Sequence, residues 1–372
     1  MSAASESAGR PSSTVPFAIV GSGWRADFYL RIAAALPAEF AVVGMVVRMP
    51  EKGEAYERRW GVSTYRTVDD LLGAQRPAFV VTSVPWAANP GLVRDLAGRG
   101  VPVLSETPPA PDLEGLVALD AAVGPDALVE IAEQYPYLPT YAAQIEIARS
   151  GLLGRVTSAH ISATQTYHAI ALLRAFLGVE FEQARITGVE FTNRLLEGPG
   201  RDGWPEKERL VDARQVIATL DFGDRLGLYD FTAGQWFHPL LGRRVVVRGE
   251  RGEIVDDRLT YLRDSRTPVE TTFHRQQTGL GGDLEGFFLR GIDAGERRAY
   301  TNPYAPARLS DEEIAIATCL SAMAARVEGG PSRYGLAQAS QDHYLGLMIE
   351  QAVAQGGPVR TTAQPWAAGG PS

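Results

Sequence analysis

Residues 15–36, VPFAIVGSGWRADFYLRIAAAL, constrain the fold more than any other part of the chain. Apolar Val15, Phe17, Ala18, Ile19 and Val20 run into Gly21-Ser22-Gly23-Trp24-Arg25-Ala26. Tyr29, Ile32, Ala33 and Leu36 then recur at the spacing of one buried helical face. Strand, glycine turn and helix in that order predict a dinucleotide-binding βα unit. In such a unit Gly21 makes the tight turn, Gly23 lets the backbone approach a pyrophosphate, and Ala26 keeps helix and strand close. The unpaired N–H groups of the helix N-terminus favour the phosphates.

The next run, 40–47 (FAVVGMVV), is almost continuously apolar, as a buried parallel strand requires. A helical pattern follows over 51–60. The group that meets the adenosine ribose stands roughly 20 residues past the glycines. Here Arg48 ends the strand, and no acid occurs before Glu51. A guanidinium in place of a carboxylate suits a 2′-phosphate, which favours NADP. NAD remains the alternative, with Arg48 lying over the adenine. Strands over 78–84, 101–104 and 128–132 alternate with helices, so an α/β, doubly wound parallel sheet is expected over 15–134. Its ligand belongs beyond the carboxyl ends of the strands. Gly21, Ser22, Gly23, Trp24, Arg25, Arg48, Pro85, Trp86, Asn89, Glu106, Thr107 and Gln134 are therefore the cofactor-binding candidates.

From residue 135 the organisation changes. Helical patterns cover 141–150, 169–177, 311–328 and 336–354, the third opened by the capping box Ser310–Glu313. Strand patterns cover 156–163, 184–194, 215–222, 226–231, 244–248 and 254–262. This half reads as an α+β domain, 135–358, with a large, mainly antiparallel sheet. A turn-rich loop, 197–205, carries Arg201 and Trp204, either to close over a ligand or as a solvated surface. Residues 1–14 read as a disordered tail and 359–372 as a loose one.

Composition narrows the partners. A net charge of −8 argues against nucleic acid, which needs a basic patch. No apolar run approaches the roughly 20 residues of a membrane span, and the first residues lack a signal-like apolar segment, so a cytoplasmic protein is expected. Cys319, the one cysteine, reads as core packing, and no metal is called for. Only Lys52 and Lys207 are lysines among 36 basic residues.

With these residues in view, the chain resembles the Gfo/Idh/MocA family of nicotinamide-dependent oxidoreductases over about residues 15–355. The anchors are GSGWRA (21–26), SVP (83–85), SETPP (105–109), YPYLP (135–139), GLLG (151–154) and YHAIALLRAFLG (167–178). The resemblance implies a Rossmann domain and an open-sheet substrate domain, with nicotinamide and a sugar-like substrate between them, in a homodimer or homotetramer. It also implies three active-site groups: the Lys of a Glu-Lys-Pro motif, then an Asp and a His four residues apart. Glu106, Pro108 and His168 match, whereas Thr107 stands at the Lys position and Thr164 at the Asp position. Lys52 lies on the adenosine side, and Lys207 is the one lysine that could swing in.

Imidazole titrates near neutrality, which suits His168 to proton transfer as acid/base. Tyr167 is the second catalytic candidate, with Tyr135 and Tyr137 as further proton carriers, sugar-binding groups or packed aromatics. Thr107, Tyr135, Thr164, His168, Trp236 and His238 are the substrate-binding candidates; His160 and His343 read as structural. The leading function is an NAD(P)-dependent oxidoreductase acting on a hydroxyl or carbonyl of a sugar, cyclic polyol or derivative. The alternatives are a glycoside hydrolase or lyase that oxidises its substrate transiently, and a non-catalytic cofactor-binding sensor.

Overall fold

In the computed structural model, residues 10–11, 13–124 and 127–369 are described. The apolar runs and helical faces of the first part alternate as β1 (Val15–Val20), α1 (Trp24–Ala35), β2 (Phe40–Val46), α2 (Pro50–Trp60), β3 (Thr64–Tyr65) and α3 (Val68–Ala74). They continue as β4 (Phe79–Thr82), α4 (Asn89–Gly98), β5 (Val103–Ser105), α5 (Leu113–Val123) and β6 (Val129–Ile131). Every strand pair is parallel, in the order β3-β2-β1-β4-β5-β6. The order reverses between β1 and β4, which opens a crevice above their carboxyl ends. Two short elements, β3 and α3, carry too few residues to show a period in the sequence; Thr67 caps α3 by accepting from the Asp70 N–H (3.0 Å).

The second part begins with α6 (Pro139–Arg149), β7 (Val156–Ser162), α7 (Thr166–Leu177), β8 (Arg185–Leu196), β9 (Leu210–Asp221) and β10 (Leu226–Thr232). Then come β11 (Arg244–Gly249), β12 (Gly252–Val255), β13 (Arg258–Leu262), β14 (Pro268–Gln277), β15 (Leu289–Ala294) and β16 (Arg297–Thr301). Two long helices, α8 (Asp311–Val327) and α9 (Leu336–Gln355), and the short β17 (Val359–Arg360) complete it. Eleven strands form one sheet, β16-β15-β14-β13-β12-β11-β7-β10-β9-β8-β17, antiparallel except for the β7–β10 pair. The expected strand 254–262 is a hairpin instead, turned at Asp256 with a φ of +54°. Strands β14–β16 went unread because β14 alternates only between exposed and half-buried residues, which leaves little apolar signal. β9 starts five residues earlier than its apolar pattern, since its first turns are solvated.

Two helices of the second part decide where the site lies. On α8, Ile314, Ala317, Leu320 and Met323 pack in one core with Ala26, Tyr29 and Ile32 of α1. Helix α7, buried along nearly its whole length, lies between α9 and the large sheet. Its first turn therefore meets the end of β6. Cys319 is buried in the α1–α8 core, and burial pushes its thiol well up, in keeping with packing.

Neither described end is loose. Arg10 donates to the Pro303 and Ala305 carbonyls (2.7 Å each) and pairs with Glu39 (3.1 Å); residues 1–9 and 12 of the expected disordered tail lie outside the described residues. At the other end β17 pairs with β8, and Trp366 is buried among Ala110, Leu116 and Tyr344 with its indole N–H on Gln341 Oε1 (3.0 Å). A large buried aromatic thus anchors the segment expected to be a loose tail over 359–372, of which 370–372 lie outside the described residues. Among the described residues no helix is long and apolar enough to cross a membrane.

Candidate active site

Gly21 has a φ of +123°, and a Cβ there would lie 1.9 Å from the Ser83 carbonyl oxygen, so only glycine lets β1 turn against the β4 loop. Gly23 caps α1 in extended conformation, without a side-chain cap, and a Cβ on it would meet nothing within 4 Å. That open space above uncapped N–H groups fits a pyrophosphate. It belongs to a cleft of about 1500 Å³ running between the two parts of the chain.

Gly21, Ser22, Gly23, Trp24, Arg25, Arg48, Pro85, Trp86, Glu106, Thr107 and Gln134 all line this cleft. Asn89 does not. It is buried, accepts from the Thr82 hydroxyl (2.7 Å) and donates to Ser105 Oγ (2.8 Å), tying β4 to β5. Past Arg48, the adenosine end is lined by Met49, Lys52, Arg66 and Thr67, and no carboxylate lies among them. Arg66 is held there by donation to the Val47 carbonyl (3.0 Å).

Beside the glycine turn, Arg25 is committed to structure. Its guanidinium lies 3.0 Å from Glu312 and 3.6 Å from Glu106, whose Oε1 also accepts from the Tyr29 hydroxyl (2.5 Å). Burial opposes the charge, but Glu106, then Tyr29 and Glu312, outweigh it and hold the guanidinium above its ordinary range. With its amide oriented to satisfy both ends, Gln134 accepts from Arg25 (3.2 Å) and donates to the Ala132 carbonyl (3.1 Å).

His168 sits in the first turn of α7 on the cleft wall. Its Nδ1 is 2.6 Å from Glu133 Oε2, at the end of β6, and both side chains are buried. The second Glu133 oxygen accepts from the Tyr135 N–H (3.0 Å). Two aromatic rings, Tyr135 and Tyr167, each lie 4.4 Å from the imidazole centroid. With Nδ1 engaged by a carboxylate, the ring is fixed in one orientation and Nε2 is the nitrogen left for chemistry. Glu133 went unread in the sequence, where an acid at a strand end carries no signal of its partner.

The remaining candidates divide. Thr107 lines the cleft beside the Tyr167 hydroxyl, which accepts from Gln165 (3.3 Å). Burial, then Glu133, pushes the Tyr167 phenol up, so near neutrality it stays protonated and serves as a donor and as packing on His168. Tyr135 is likewise pushed up, to about 12, chiefly by burial. Thr164 is fully buried and absent from the cleft wall; its Oγ1 takes the Trp236 indole N–H (3.3 Å) and stands beside the Tyr135 hydroxyl. It positions two lining aromatics and does not face a substrate.

His238 is also off the wall, with Nε2 on the Leu196 carbonyl (2.7 Å) and Nδ1 accepting from the Leu240 N–H (3.2 Å). Lys207 and Trp204 are exposed outside the cleft. Arg201 reaches it: its guanidinium carbon lies 3.6 Å from the Trp24 ring centroid. Phe237, Arg243, Leu138, Gln165 and Glu312 also line the wall without having been singled out as site residues in the sequence. Among the described residues no group of three His, Cys, Asp or Glu could hold a metal.

Residues 15–125 match the model of an oxidoreductase family with an NAD-binding Rossmann fold, GFO_IDH_MocA. No curated protein matches the chain. Among solved structures, levoglucosan dehydrogenase in complex with NADH and levoglucosan superposes with a TM-score of 0.66 at 17% identity, over 95% of this chain and 100% of that one. A myo-inositol dehydrogenase from Corynebacterium glutamicum ATCC 13032 gives 0.65 at 16%, over 94% and 99%. GenD2 from gentamicin A biosynthesis, in complex with NAD, gives 0.65 at 18%, over 94% and 97%. At these identities the likeness establishes a shared fold across both parts of the chain.

Proposed function

We propose that this chain, whose residues 15–125 match the GFO_IDH_MocA oxidoreductase family model, is a member of that family and an NAD(P)-dependent dehydrogenase acting on a hydroxyl or carbonyl of a sugar, cyclic polyol or derivative. The observation that carries this reading is the buried His168–Glu133 pair on the wall of the cleft that the glycine turn opens. A nicotinamide nucleotide, when bound, supplies the hydride acceptor. Gly21, Gly23 and the N-terminus of α1 would hold its phosphates. His168 Nε2 takes the hydroxyl proton as the substrate carbon is oxidised, and returns it in the reverse direction. Glu133 orients the imidazole and balances the charge it gains. Thr107 offers a hydroxyl to the same space but no charge. The substrates of the levoglucosan and myo-inositol dehydrogenase neighbours support the sugar or polyol class.

For the cofactor we infer NADP in preference to NAD. Neighbours solved with nucleotide, levoglucosan dehydrogenase and GenD2 among them, carry NADH or NAD, whereas Arg48, Lys52 and Arg66 line the adenosine end here with no carboxylate among the described residues for a ribose 2′-hydroxyl. Exposed apolar residues on β8 and β9, among them Val189, Phe191 and Ile217, support a homo-oligomer built through the large sheet.

The test is to release and identify the bound nucleotide, then to follow reduced-nicotinamide absorbance across a panel of sugars and polyols. Net reduction is expected. Product formed without net reduction would point instead to transient oxidation and elimination, and nucleotide binding without any product to a sensor. A Kd for NAD clearly below that for NADP would overturn the cofactor assignment.

A further inference from the structure

The geometry points to a substrate that carries an anionic substituent, a carboxylate or a phosphate on a sugar-like frame, seated on Arg243 with Arg201 beside it. This deepens the dehydrogenase reading and rests on it.

The cations of the cleft fall into three groups. Arg48, Lys52 and Arg66 stand at the adenosine end, and Arg25 is neutralised by Glu106 and Glu312. That leaves Arg201 and Arg243, neither of which makes an ion pair among the described residues. Arg201 rests on the rings of Trp24 (3.6 Å) and Phe237 (5.5 Å), and Arg243 donates to the Trp236 carbonyl (3.1 Å). Among the described residues no free carboxylate lines the cleft to balance them, since Glu106 and Glu312 are both taken up by Arg25.

Arg243 belongs to the catalytic side. The His168 ring packs on Tyr135, the Trp236 indole donates to Thr164 beside the Tyr135 hydroxyl, and the Trp236 carbonyl holds Arg243. The root of Arg243 is pinned as well. Buried Gln235 accepts from the Thr232 N–H (3.0 Å) and donates to the Ser162 and Gly242 carbonyls (2.9 Å each). A guanidinium on a fixed root, with donors unspent and one face of the cleft before it, matches the two oxygens of a carboxylate or phosphate. Neutral hydroxyls need no such charge. In a partly enclosed cleft the attraction exceeds its value in bulk water.

The experiment uses purified protein with its identified nucleotide and substrate pairs that differ in charge: D-glucose against D-glucuronate, D-gluconate and D-glucose 6-phosphate, and D-galactose against D-galacturonate. Turnover and calorimetric binding are both read. We expect kcat/KM or affinity for at least one anion to exceed that of its neutral partner by about 10²-fold, with the carboxylate and phosphate arms telling the two sources apart. Arg243→Leu should lower that ratio at least tenfold, chiefly through KM, and Arg243→Lys should restore part of it. Nucleotide binding in the same samples reports that the variants are folded. Neutral sugars turned over as well as their acids would overturn the inference and leave the dehydrogenase reading standing. So would an unchanged ratio in Arg243→Leu, or binding of none of the anions. Absence of any nicotinamide nucleotide binding would remove both.

Discussion

His168 Nδ1 lies 2.6 Å from Glu133 Oε2, and neither side chain is more than 9% exposed. Thirty-five residues separate the two in the chain, and they meet because α7 is laid across the end of β6. A carboxylate on one ring nitrogen leaves the other to exchange a proton with the substrate.

His168→Ala should therefore lower kcat by roughly 10²–10⁴-fold, the scale of general acid–base catalysis, with the nucleotide Kd unchanged. Glu133→Gln keeps the shape and removes the charge, and should cost on the order of 10²-fold in kcat. Steady-state rates on the best substrate of the panel, alongside nucleotide titrations, decide both; a Glu133→Gln enzyme within twofold of the wild type would refute the dyad.

Gly21→Ala should abolish nucleotide binding and destabilise the fold by about 1–3 kcal/mol or more. The new Cβ would stand 1.9 Å from a backbone carbonyl at a φ of +123°. Urea unfolding measures the loss. Gly23→Ala separates the two effects, because its Cβ meets open space. It should leave stability within about 0.5 kcal/mol and weaken only the nucleotide.

Asp342 is buried, with Oδ1 on Arg174 (2.6 Å) and Oδ2 without a partner among the described residues. Burial raises its carboxyl to about 7 against the opposing pull of Arg174. The folded state thus binds this proton more tightly than the unfolded one. The stability it contributes is fully present below about pH 4 and is lost as pH rises towards 7. The difference in unfolding free energy between wild type and Asp342→Asn, taken every half pH unit from 4 to 8, should carry that slope. A flat difference would show that the carboxyl stays ionised on Arg174.

Trp366→Ala should destabilise the protein by about 3–5 kcal/mol, the usual cost of emptying a buried aromatic site. Thermal or urea unfolding of that variant, and of a chain ending at residue 363, tests whether the C-terminal segment is structural. Two unchanged melting curves would return it to the status of a loose tail.

The sequence by itself determined the parts whose signals are local. A glycine turn between an apolar run and a 3.6-residue period specifies the β1–α1 unit, and the alternation after it specifies a parallel sheet. His168 could be singled out because it opens a helix within a motif. The tertiary structure alone decided which polar groups are paired. Arg25, a cofactor candidate by position, turns to Glu312, 287 residues away, and Thr164 spends its hydroxyl on the Trp236 indole. Asn89 and His238 leave the site for the same reason: each is drawn to partners that spacing does not reveal, Asn89 to buried side chains and His238 to the Leu196 carbonyl. Periodicity reports which face of an element is buried. Which charge, hydroxyl or ring it is buried against depends on helices and strands far apart in the chain, and those pairings left Arg201 and Arg243 without an ion pair among the described residues, joined Glu133 to His168, and so shaped the site.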